Sequence, residues 1–530
     1  MSKTSWIQII LFDFALTAAF LLAQTFTANA TKTQPLSHAS FETSLFLFIV
    51  ILLASYLLLW FSRQKKITFV EIPTKHSASK IWQAHFFLLI LSWGICFLAY
   101  YPGVGMNDGL NVLAGRLSSA NQFPIWYCVY VVLLGKIGSL FGSLQYAVAL
   151  YSVMQLLVTA SISACILTFV WCHSSSRIIH LLSSAYYLLQ PVLAIYSISM
   201  LKDTVFSSLL VLYGILLFSL CTREASAESA RNRRKAQLMF LLSSLLLSAL
   251  RSNGVYVVVV CLAFFFFSGR SQKKLALITA CLTVFFNFSG SLIMNHYDVR
   301  HNISETFGIP IQQVSAVIAE NGVISEDEET TLRHFIDPED IRVLYNPGNA
   351  DPIKWSDSFN RKYLNGHAGE FLSLWASLLP HNFSIYVRAY LQETYWFWAP
   401  VQSGGIQMFS TIEEIADNTW LADFIQQNGI HDAPILQGPV RECLHAFYQI
   451  GSFFLREGVC FWLMLFSMVL ARCRGWKWKN LLSFYLPQLL TWMTIMVSTP
   501  INNSFRYVLF YAYALPVYLL FLTHNKPAAG

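Results

Sequence analysis

Charged residues are scarce in this chain: only 12% of its 530 residues are Asp, Glu, Lys or Arg, against about 25% in ordinary soluble domains. Its ten cysteines follow no fixed spacing and form no CxxC pair, so we expect no disulfide framework. HExxH, P-loop and GxSxG motifs are missing, so zinc proteolysis, nucleotide hydrolysis and serine-hydrolase chemistry lack their characteristic residues. This composition excludes a soluble enzyme, a disordered protein and a nucleic-acid binder.

Apolar residues, in contrast, make up 55% of the chain, which is typical of an all-α integral membrane protein. About 20 apolar residues in a helix cross a hydrocarbon core of about 30 Å. The runs that reach this length are 7–29, 44–62, 82–101, 143–170, 179–198, 204–221, 275–294, 451–470, 481–498 and 506–523. A longer run, 237–268, is interrupted at 251–254 and is interpreted as two short helices. The sequence therefore predicts twelve transmembrane helices.

The orientation follows from the basic residues, which collect on the cytoplasmic side of membrane proteins. Basic clusters lie in 63–81, 222–236, 270–274 and 472–479. All four fall inside only if the apolar segment 124–140 does not cross, so we expect that segment to be a juxtamembrane or re-entrant helix on the outer face. Both termini are then cytoplasmic. The protein is expected in the bacterial plasma membrane.

Four regions result from this topology. The long segment between the ninth and tenth spans falls outside, and a capping box at Ser325 and Glu328 predicts that one of its helices begins there. The regions are a two-span accessory segment and cytoplasmic loop, 1–81; a transmembrane module with a first outer loop at 102–142, 82–294; a mostly helical extracytoplasmic domain with interfacial helices, 295–450; and a three-span bundle, 451–530.

Four polar segments are predicted at the outer ends of the helices: 101–109, 197–204, 251–254 and 502–507. In the first segment Asp108 is the only carboxylate, and it is either a general base toward an acceptor hydroxyl or a turn residue.

The cations of the other three segments suggest an anion site at the same end. Lys202 and Arg251 are either ligands of a lipid phosphate or independent cations that extend to the interface, and Asp203 is either part of the site or a helix N-cap. Arg506, in the fourth segment, is a third candidate for binding the phosphate.

Aromatic residues are concentrated at 386–398, near the end of the predicted outer domain. They are interpreted either as an aromatic belt at the membrane interface or as a platform on which a sugar stacks. The full set of candidates for contacting the substrate is Asn107, Asp203, Asn253, Glu393 and Trp396.

The segments "YPGVGMNDG", "SMLKDTVF", "LRSNGVYVVV" and "NNSFRYVLFYAYALP" resemble the landmarks of a family of uncharacterised bacterial polytopic proteins. "ETFGIPIQQVSAVIAENG" and "YLQETYWFWAP" fit the same family, so the resemblance runs from about residue 82 to the C-terminus. That family is itself similar to GT-C type, lipid-donor glycosyltransferases. In those enzymes an acidic residue of the first long outer loop is catalytic, which implies Asp108 here. Basic residues hold the polyprenyl phosphate of the donor, which implies Lys202, Arg251 and Arg506.

The sequence therefore predicts a membrane glycosyltransferase. Its donor is expected to be a polyprenyl-phosphate sugar and its acceptor a cell-envelope glycan or glycolipid. Asn107-Asp108 stands where relatives carry an acidic pair, and Gln122-Phe123-Pro124 where they often carry His-Pro-Pro, so a metal stays unassigned. Two alternatives are a transporter or flippase for a lipid-linked glycan and a non-catalytic envelope assembly protein. Transporters tend to carry ionisable groups at mid-bilayer, and here only Asp13 lies clearly in the middle of a span, while the other ionisable groups gather at one face, which favours chemistry over transport.

Overall fold

The computed structural model describes residues 3–26, 46, 48–53, 77–174, 176–222, 230–269, 272–400, 409–418, 421–498 and 504–523. Within these ranges the chain is helical, and its only β-contact is a single parallel bridge between Val104 and Ser199. The all-α expectation is confirmed for these residues.

The helices of the apolar part of the chain form a bundle, and the labels used below follow chain order. They are α1 Lys3–Thr25, α2 Ala78–Ala99, α3 Asn107–Gly115, α4 Ile125–Leu140, α5 Gln145–His173, α6 Arg177–Leu189, α7 Pro191–Ser197, α8 Lys202–Thr222, α9 Ala230–Leu250, α10 Gly254–Ser268 and α11 Lys273–His296.

The remaining helices follow in two groups, a set of short helices and a C-terminal set. The short helices are α12 Gly308–Ala319, α13 Glu326–Arg333, α14 Pro338–Leu344, α15 Asp351–Lys354, α16 Arg361–Gly366, α17 Ala368–Leu378, α18 Phe383–Glu393, α19 Tyr395–Trp398, α20 Ile412–Asn418 and α21 Ala422–Gln427. The C-terminal set is α22 Pro439–Phe453, α23 Glu457–Cys473, α24 Trp478–Val497 and α25 Phe510–Thr523, the last preceded by a 3₁₀ turn, Phe505–Val508.

Six of the described helices are long and apolar enough to cross a membrane: α1, α2, α5, α8, α11 and α25 with its 3₁₀ turn. Two further spans result if each bent pair, α6 with α7 (51°) and α22 with α23 (53°), counts as one. The described residues therefore indicate a multi-pass protein with six to eight candidate spans, and the predicted count of twelve is not supported.

Each of the missing spans has a physical reason. The run 44–62 lies largely outside the described residues. The helix α9 begins with a basic stretch, and α10 has only 15 residues, about 22 Å, which is short of the hydrocarbon core. The helix α24 carries polar residues such as Gln488 and Thr491 along its length, and it is not among the candidate spans. The prediction that 237–268 is two helices meeting near Arg251 is confirmed.

Segment 124–140 is a separate helix, as expected. The helix α4 has 16 residues, begins after Pro124 and packs against α3 and α5. A Cβ at Gly138 would lie 2.7 Å from the Cβ of Ala147, so glycine permits the close approach of α4 to α5.

The helix α8 lies at the centre of the bundle, with neighbours α5, α9, α24 and α25. It is buried over most of its length, and a Cβ at Gly214 would lie 2.7 Å from the backbone oxygen of Phe484 on α24. In contrast, α2 and α11 expose large apolar side chains such as Phe87, Leu91 and Phe285. Surfaces of this kind are typical of helices that face lipid.

The short helices α12 to α18 surround a second core that includes Ile311, Val314, Leu332 and Phe371. The capping box is confirmed, because the hydroxyl of Ser325 caps the N-terminus of α13 and Glu328 accepts a hydrogen bond from the Ser325 backbone N–H. These helices cover much of the predicted outer domain.

The aromatic segment has a different environment from either predicted one. Tyr395, Trp396 and Trp398 are buried in the main core, where α19 packs against α23. A belt or a sugar platform requires exposed rings, so neither interpretation describes these three residues. Burial against a neighbouring helix is not visible in a local aromatic pattern.

Candidate functional site

Two of the predicted polar segments are joined through their backbones. Val104 and Ser199 form the parallel bridge: the N–H of Val104 donates to Ile198 O (3.1 Å), and the N–H of Met200 donates to Val104 O (3.1 Å). Gly103 has a φ of +143°, and a Cβ there would lie 2.9 Å from Ile198 O. The glycine of "YPGVG" is therefore required by the close approach of the two loops.

The second of these loops is fixed from the side by α5. The hydroxyl of Ser152 donates to Ile198 O (3.0 Å), and the side-chain amide of Gln155 donates to Tyr196 O (2.9 Å). The hydroxyl of Thr204, at the start of α8, donates to the same Tyr196 oxygen (2.9 Å). The loop therefore delivers Lys202 and Asp203, the first two residues of α8, in a fixed position.

Asp108 lies between two cations. Its Oδ2 is 3.2 Å from Nζ of Lys202 and 3.2 Å from Nη1 of Arg506. The three side chains are partly accessible, with exposed fractions of 19% for Asp108, 11% for Lys202 and 24% for Arg506. Residues separated by up to about four hundred positions in the sequence therefore meet at one carboxylate oxygen.

A further ion pair lies beside the two pairs of Asp108. Nη1 of Arg251 is 3.1 Å from Oδ1 of Asp203, and these side chains are 12% and 2% exposed. Because Lys202 and Asp203 are adjacent in the chain, this pair and the two pairs of Asp108 form one cluster of three cations and two carboxylates. We call these five residues, Asp108, Lys202, Asp203, Arg251 and Arg506, the charged cluster.

Aromatic rings line the charged cluster on two sides. The ring of Tyr507 lies 5.1 Å from the guanidinium of Arg251 and 4.9 Å from that of Arg506. The ammonium of Lys202 lies 4.8 Å from the ring of Phe123. Rings at these distances attract cations and restrict their contact with water. They strengthen electrostatic interactions within the cluster.

The charge state of Asp108 follows from its neighbours. Burial alone raises the pKa of the Asp108 carboxyl, but Arg506 and Lys202 reverse that effect and hold the pKa below its usual range. Asp108 is therefore ionised at neutral pH. It is a weak base while both cations remain beside it.

The other predicted site residues differ in their relation to the charged cluster. The side-chain amide of Asn253 donates to the hydroxyl of Thr494 (2.8 Å) and ties the turn after α9 to α24. Asn107 is exposed at the start of α3. Trp396 is only 6% exposed in the main core, so its ring faces packed side chains. Asn502 and Asn503, of the fourth polar segment, lie outside the described residues.

Glu393 belongs to a separate buried group. Its side chain is fully buried, and neither carboxylate oxygen has a hydrogen-bond partner among the described residues. Burial raises the pKa of Glu393 well above its usual range, while Lys354 acts in the opposite direction. Nζ of Lys354 is itself 2.7 Å from Asp351 and 3.4 Å from Glu305.

Two residues near these charges were not identified from the sequence. Phe123 contacts Lys202, and no local pattern distinguishes it from the many other phenylalanines of the chain. Lys354 carries a local signal, because Asp351 stands three positions before it and an i, i+3 pair of opposite charge favours contact on a helix. No group of three or more His, Cys, Asp or Glu side chains suited to a metal ion occurs within the part of the chain that the structure describes.

Comparisons with known proteins assign the chain to a family. A family described as a family of unknown function (DUF6020) matches residues 118–530. Lys202, Arg251 and Arg506 lie within the match, and Asp108 lies just before it. No curated protein and no solved structure matches the chain. The match covers well over half of the sequence, so the chain belongs to this family of unknown function.

Proposed function

We propose that this protein is a membrane glycosyltransferase that moves a sugar from a polyprenyl-phosphate donor to a cell-envelope glycan or glycolipid. The observation that carries the proposal is the charged cluster, in which three cations face two carboxylates at the shared end of α8, α9 and α25. The excess positive charge suits a phosphate, and the partly exposed side chains leave a route to it.

In this proposal the donor phosphate competes with Asp108 for Lys202 and Arg506. A phosphate oxygen accepts the same hydrogen bonds as a carboxylate oxygen, and the guanidinium of Arg506 offers a planar fork for two of them. Once the cations turn to the phosphate, the effect that lowers the pKa of Asp108 weakens. The donor thereby makes Asp108 a stronger base at the moment when a base is needed.

The transfer step then needs one base and one anion site. The acceptor hydroxyl gives its proton to Asp108, and its oxygen forms a bond to the anomeric carbon of the donor sugar. The bond from that carbon to the phosphate oxygen breaks, and the electron pair leaves with the polyprenyl phosphate. Lys202, Arg251 and Arg506 stabilise the charge that develops on the leaving group.

The directions of the helices support an orientation with the charged cluster on the outer face. The described basic residues Arg231, Lys273 and Lys479 stand at or near the far ends of α9, α10 and α24, at the opposite end of the bundle from the cluster. Nζ of Lys479 donates to the backbone oxygen of Ser268 at that far end. By the positive-inside rule, this distribution supports the proposal that the far end is cytoplasmic and the cluster lies outside.

Reporter fusions test this orientation directly. Fusions at 120, 142 and 360 are all expected to report an outer location. A cytoplasmic signal at 142 alone would mean that α4 crosses the membrane. Cytoplasmic signals at all three positions would invert the proposed orientation.

Incubation of the purified protein with radiolabelled polyprenyl-phosphate sugars and cell-envelope extract tests the activity. We expect label in a product from which mild acid no longer releases the donor sugar, and we expect no such product from Asp108→Asn. The matched control is Asp327→Asn, since Asp327 is exposed in the first turn of α13 and does not belong to the charged cluster. Equal product from wild type and Asp108→Asn would overturn the proposed role of Asp108.

Transport of a lipid-linked glycan is the second candidate, and Asp13 favours it. The carboxylate of Asp13 is fully buried on the candidate span α1, and neither oxygen has a hydrogen-bond partner among the described residues. Ionisable residues within spans commonly mark transport pathways. Proteoliposomes separate the two candidates, because transport moves labelled lipid between leaflets without forming a glycosidic bond, and Asp13→Asn would then abolish the movement.

A further inference from the structure

A polar cavity of about 440 Å³ lies beside the loop that carries Asp108. Its walls come from the end of α2, from the start of α20 and from the first turn of α22. Its lining includes the side chains of Tyr100, Phe409, Glu414, Arg441, Glu442 and His445. The volume falls within the range of about 300–1,000 Å³ that is typical of small-molecule sites.

The walls of this cavity are held by backbone hydrogen bonds. The N–H groups of Ile435 and Leu436 donate to Leu98 O (2.8 and 3.0 Å), which ties the segment before α22 to the end of α2. Thr411 and Glu414 cap α20 reciprocally, with the Thr411 N–H donating to Glu414 Oε2 (2.9 Å). These hydrogen bonds hold the α2 and α22 walls together and cap α20, so a ligand does not have to order these segments.

The lining indicates the chemical class of the ligand. The rings of Tyr100 and Phe409 meet edge to face with centroids 5.1 Å apart, and the guanidinium of Arg441 lies 5.1 Å from the Tyr100 ring. The lining contains two carboxylates, Glu414 and Glu442, which repel an anion such as the donor phosphate. A lipid tail is also disfavoured, because it would cover the charged side chains without offering them hydrogen-bond partners. Aromatic faces for C–H groups, together with charged donors and acceptors for hydroxyl groups, suit an uncharged sugar.

One short loop of the chain connects the lining of the cavity to the charged cluster. Tyr100 lines the cavity, and Asp108 follows it eight residues later. Between them, a Cβ at Gly105 would lie 2.9 Å from Cδ1 of Ile415, so the loop packs directly on α20. The loop therefore has the cavity at one end and the proposed base at the other.

We propose that this cavity binds a neutral sugar unit of the acceptor glycan, next to the unit whose hydroxyl reacts at Asp108. The role as an acceptor subsite rests on the proposed function, whereas sugar binding itself does not. Arg441 and Glu442 supply the hydrogen bonds of the subsite, and Tyr100 and Phe409 supply its apolar surface. Because Glu414 already caps α20, Glu442 is the carboxylate with the greater freedom to accept from the ligand.

Saturation-transfer NMR on the full chain in nanodiscs measures binding without requiring turnover. The probes are methyl glycosides of glucose, galactose, mannose and N-acetylglucosamine, with ethanolamine and inorganic phosphate as charged comparisons. We expect at least one glycoside to bind, and we expect Arg441→Met and Glu442→Gln each to weaken it by about tenfold. Glu413→Gln is the matched control, because Glu413 is exposed on the same helix as Glu414 and does not line the cavity.

Binding of no glycoside, equal binding by all variants, or binding of ethanolamine or phosphate alone would overturn the inference. A separate assay with labelled donor keeps the proposed function distinct. If Arg441→Met loses glycoside binding while the wild type transfers no sugar from any donor, the subsite stands and the transferase proposal falls. If transfer proceeds and the acceptor KM is unchanged in Arg441→Met, the acceptor role falls instead.

Discussion

Ion pairs occur in two regions of this protein, and they differ in sequence separation and in burial. On α13, Arg333 pairs with Glu329 (2.6 Å) and Asp337 (2.8 Å), four residues away on either side, and these side chains are 41–49% exposed. In the charged cluster, Asp108 meets Lys202 and Arg506 from distant parts of the chain, and Asp203 is only 2% exposed. Similar distances therefore have different consequences.

The exposed pairs of Arg333 are local and screened by solvent, so each contributes little to the stability of the fold. The pairs of the charged cluster hold opposite charges where water is largely absent. Removing one partner there leaves the other uncompensated. The comparison shows that burial and sequence separation, and not ion-pair distance, distinguish the candidate site from an ordinary helix surface.

The largest expected effect is on stability and concerns Arg251. Arg251→Met leaves the carboxylate of Asp203 buried without its cation, and we expect the free energy of unfolding to fall by about 3–5 kcal/mol. Denaturant titration in mixed micelles measures this change. The double variant Asp203→Asn/Arg251→Met is expected to recover part of the loss, because no charge is stranded in it. A loss as small as that of Arg333→Met would remove the distinction between the two regions.

The next largest effect is on catalysis. Asp108→Asn keeps the shape of the side chain but removes its basicity, and we expect turnover to fall about 10²-fold or more. Initial rates with labelled polyprenyl-phosphate donor measure it. Since Asp108 neutralises Lys202 and Arg506, the stability of the variant needs to be measured beside its activity. Wild-type turnover in a folded Asp108→Asn protein would reduce Asp108 to a structural counter-ion.

A smaller effect concerns acid stability. The folded-state pKa of Asp108 is lowered, so its ion pairs contribute fully above the unfolded value of about 3.9 and lose that contribution as the pH falls through the folded value. As the pH falls below about 4, we expect the free energy of unfolding to decrease less in Asp108→Asn than in the wild type. Unfolding midpoints across this range test it, and Asp327→Asn should follow the wild-type profile. Parallel curves for all three proteins would show that Asp108 does not titrate with folding.

The smallest effect is expected on α13. Arg333→Met should lower the free energy of unfolding only slightly, and added salt should reduce the difference further. The same salt titration on Arg251→Met should change its effect much less, because Asp203 is hardly exposed. A strong salt dependence at Arg251 would indicate that water reaches that pair.

Much of the architecture could be predicted from local pattern. Hydropathy identified the apolar helices, the break at Arg251 separated α9 from α10, and Ser325 with Glu328 marked the start of α13. The number of spans could not be predicted in the same way. A run of apolar residues has the same appearance whether it faces lipid or other helices, and α9 and α24 both pack closely on α8.

The residues of the candidate site could be predicted from the sequence, but the ion pairs that they form could not. Charge parity suggested that Asp108, Lys202, Arg251 and Arg506 lie at one end of the bundle, and the structure brings all four together. In the structure Lys202 and Arg251 each contact a different carboxylate, and their sharing of one phosphate stays a prediction. Pairing depends on helix rotation and on loop contacts such as that between Val104 and Ser199, which leave no periodic trace in the sequence.

The bridge between Val104 and Ser199 also determines how the charged cluster can rearrange. Because the loops before Asp108 and Lys202 are hydrogen-bonded to each other, and Gly103 and Gly109 leave no space between them, the two backbones move as one body. Any ligand that separates the Asp108 carboxylate from the Lys202 ammonium has to do so by side-chain rotation. Rotations of this kind take picoseconds to nanoseconds, whereas loop motions take nanoseconds to microseconds. In the proposed mechanism, a phosphate therefore replaces Asp108 at Lys202 by side-chain rotation, without separating these two loops.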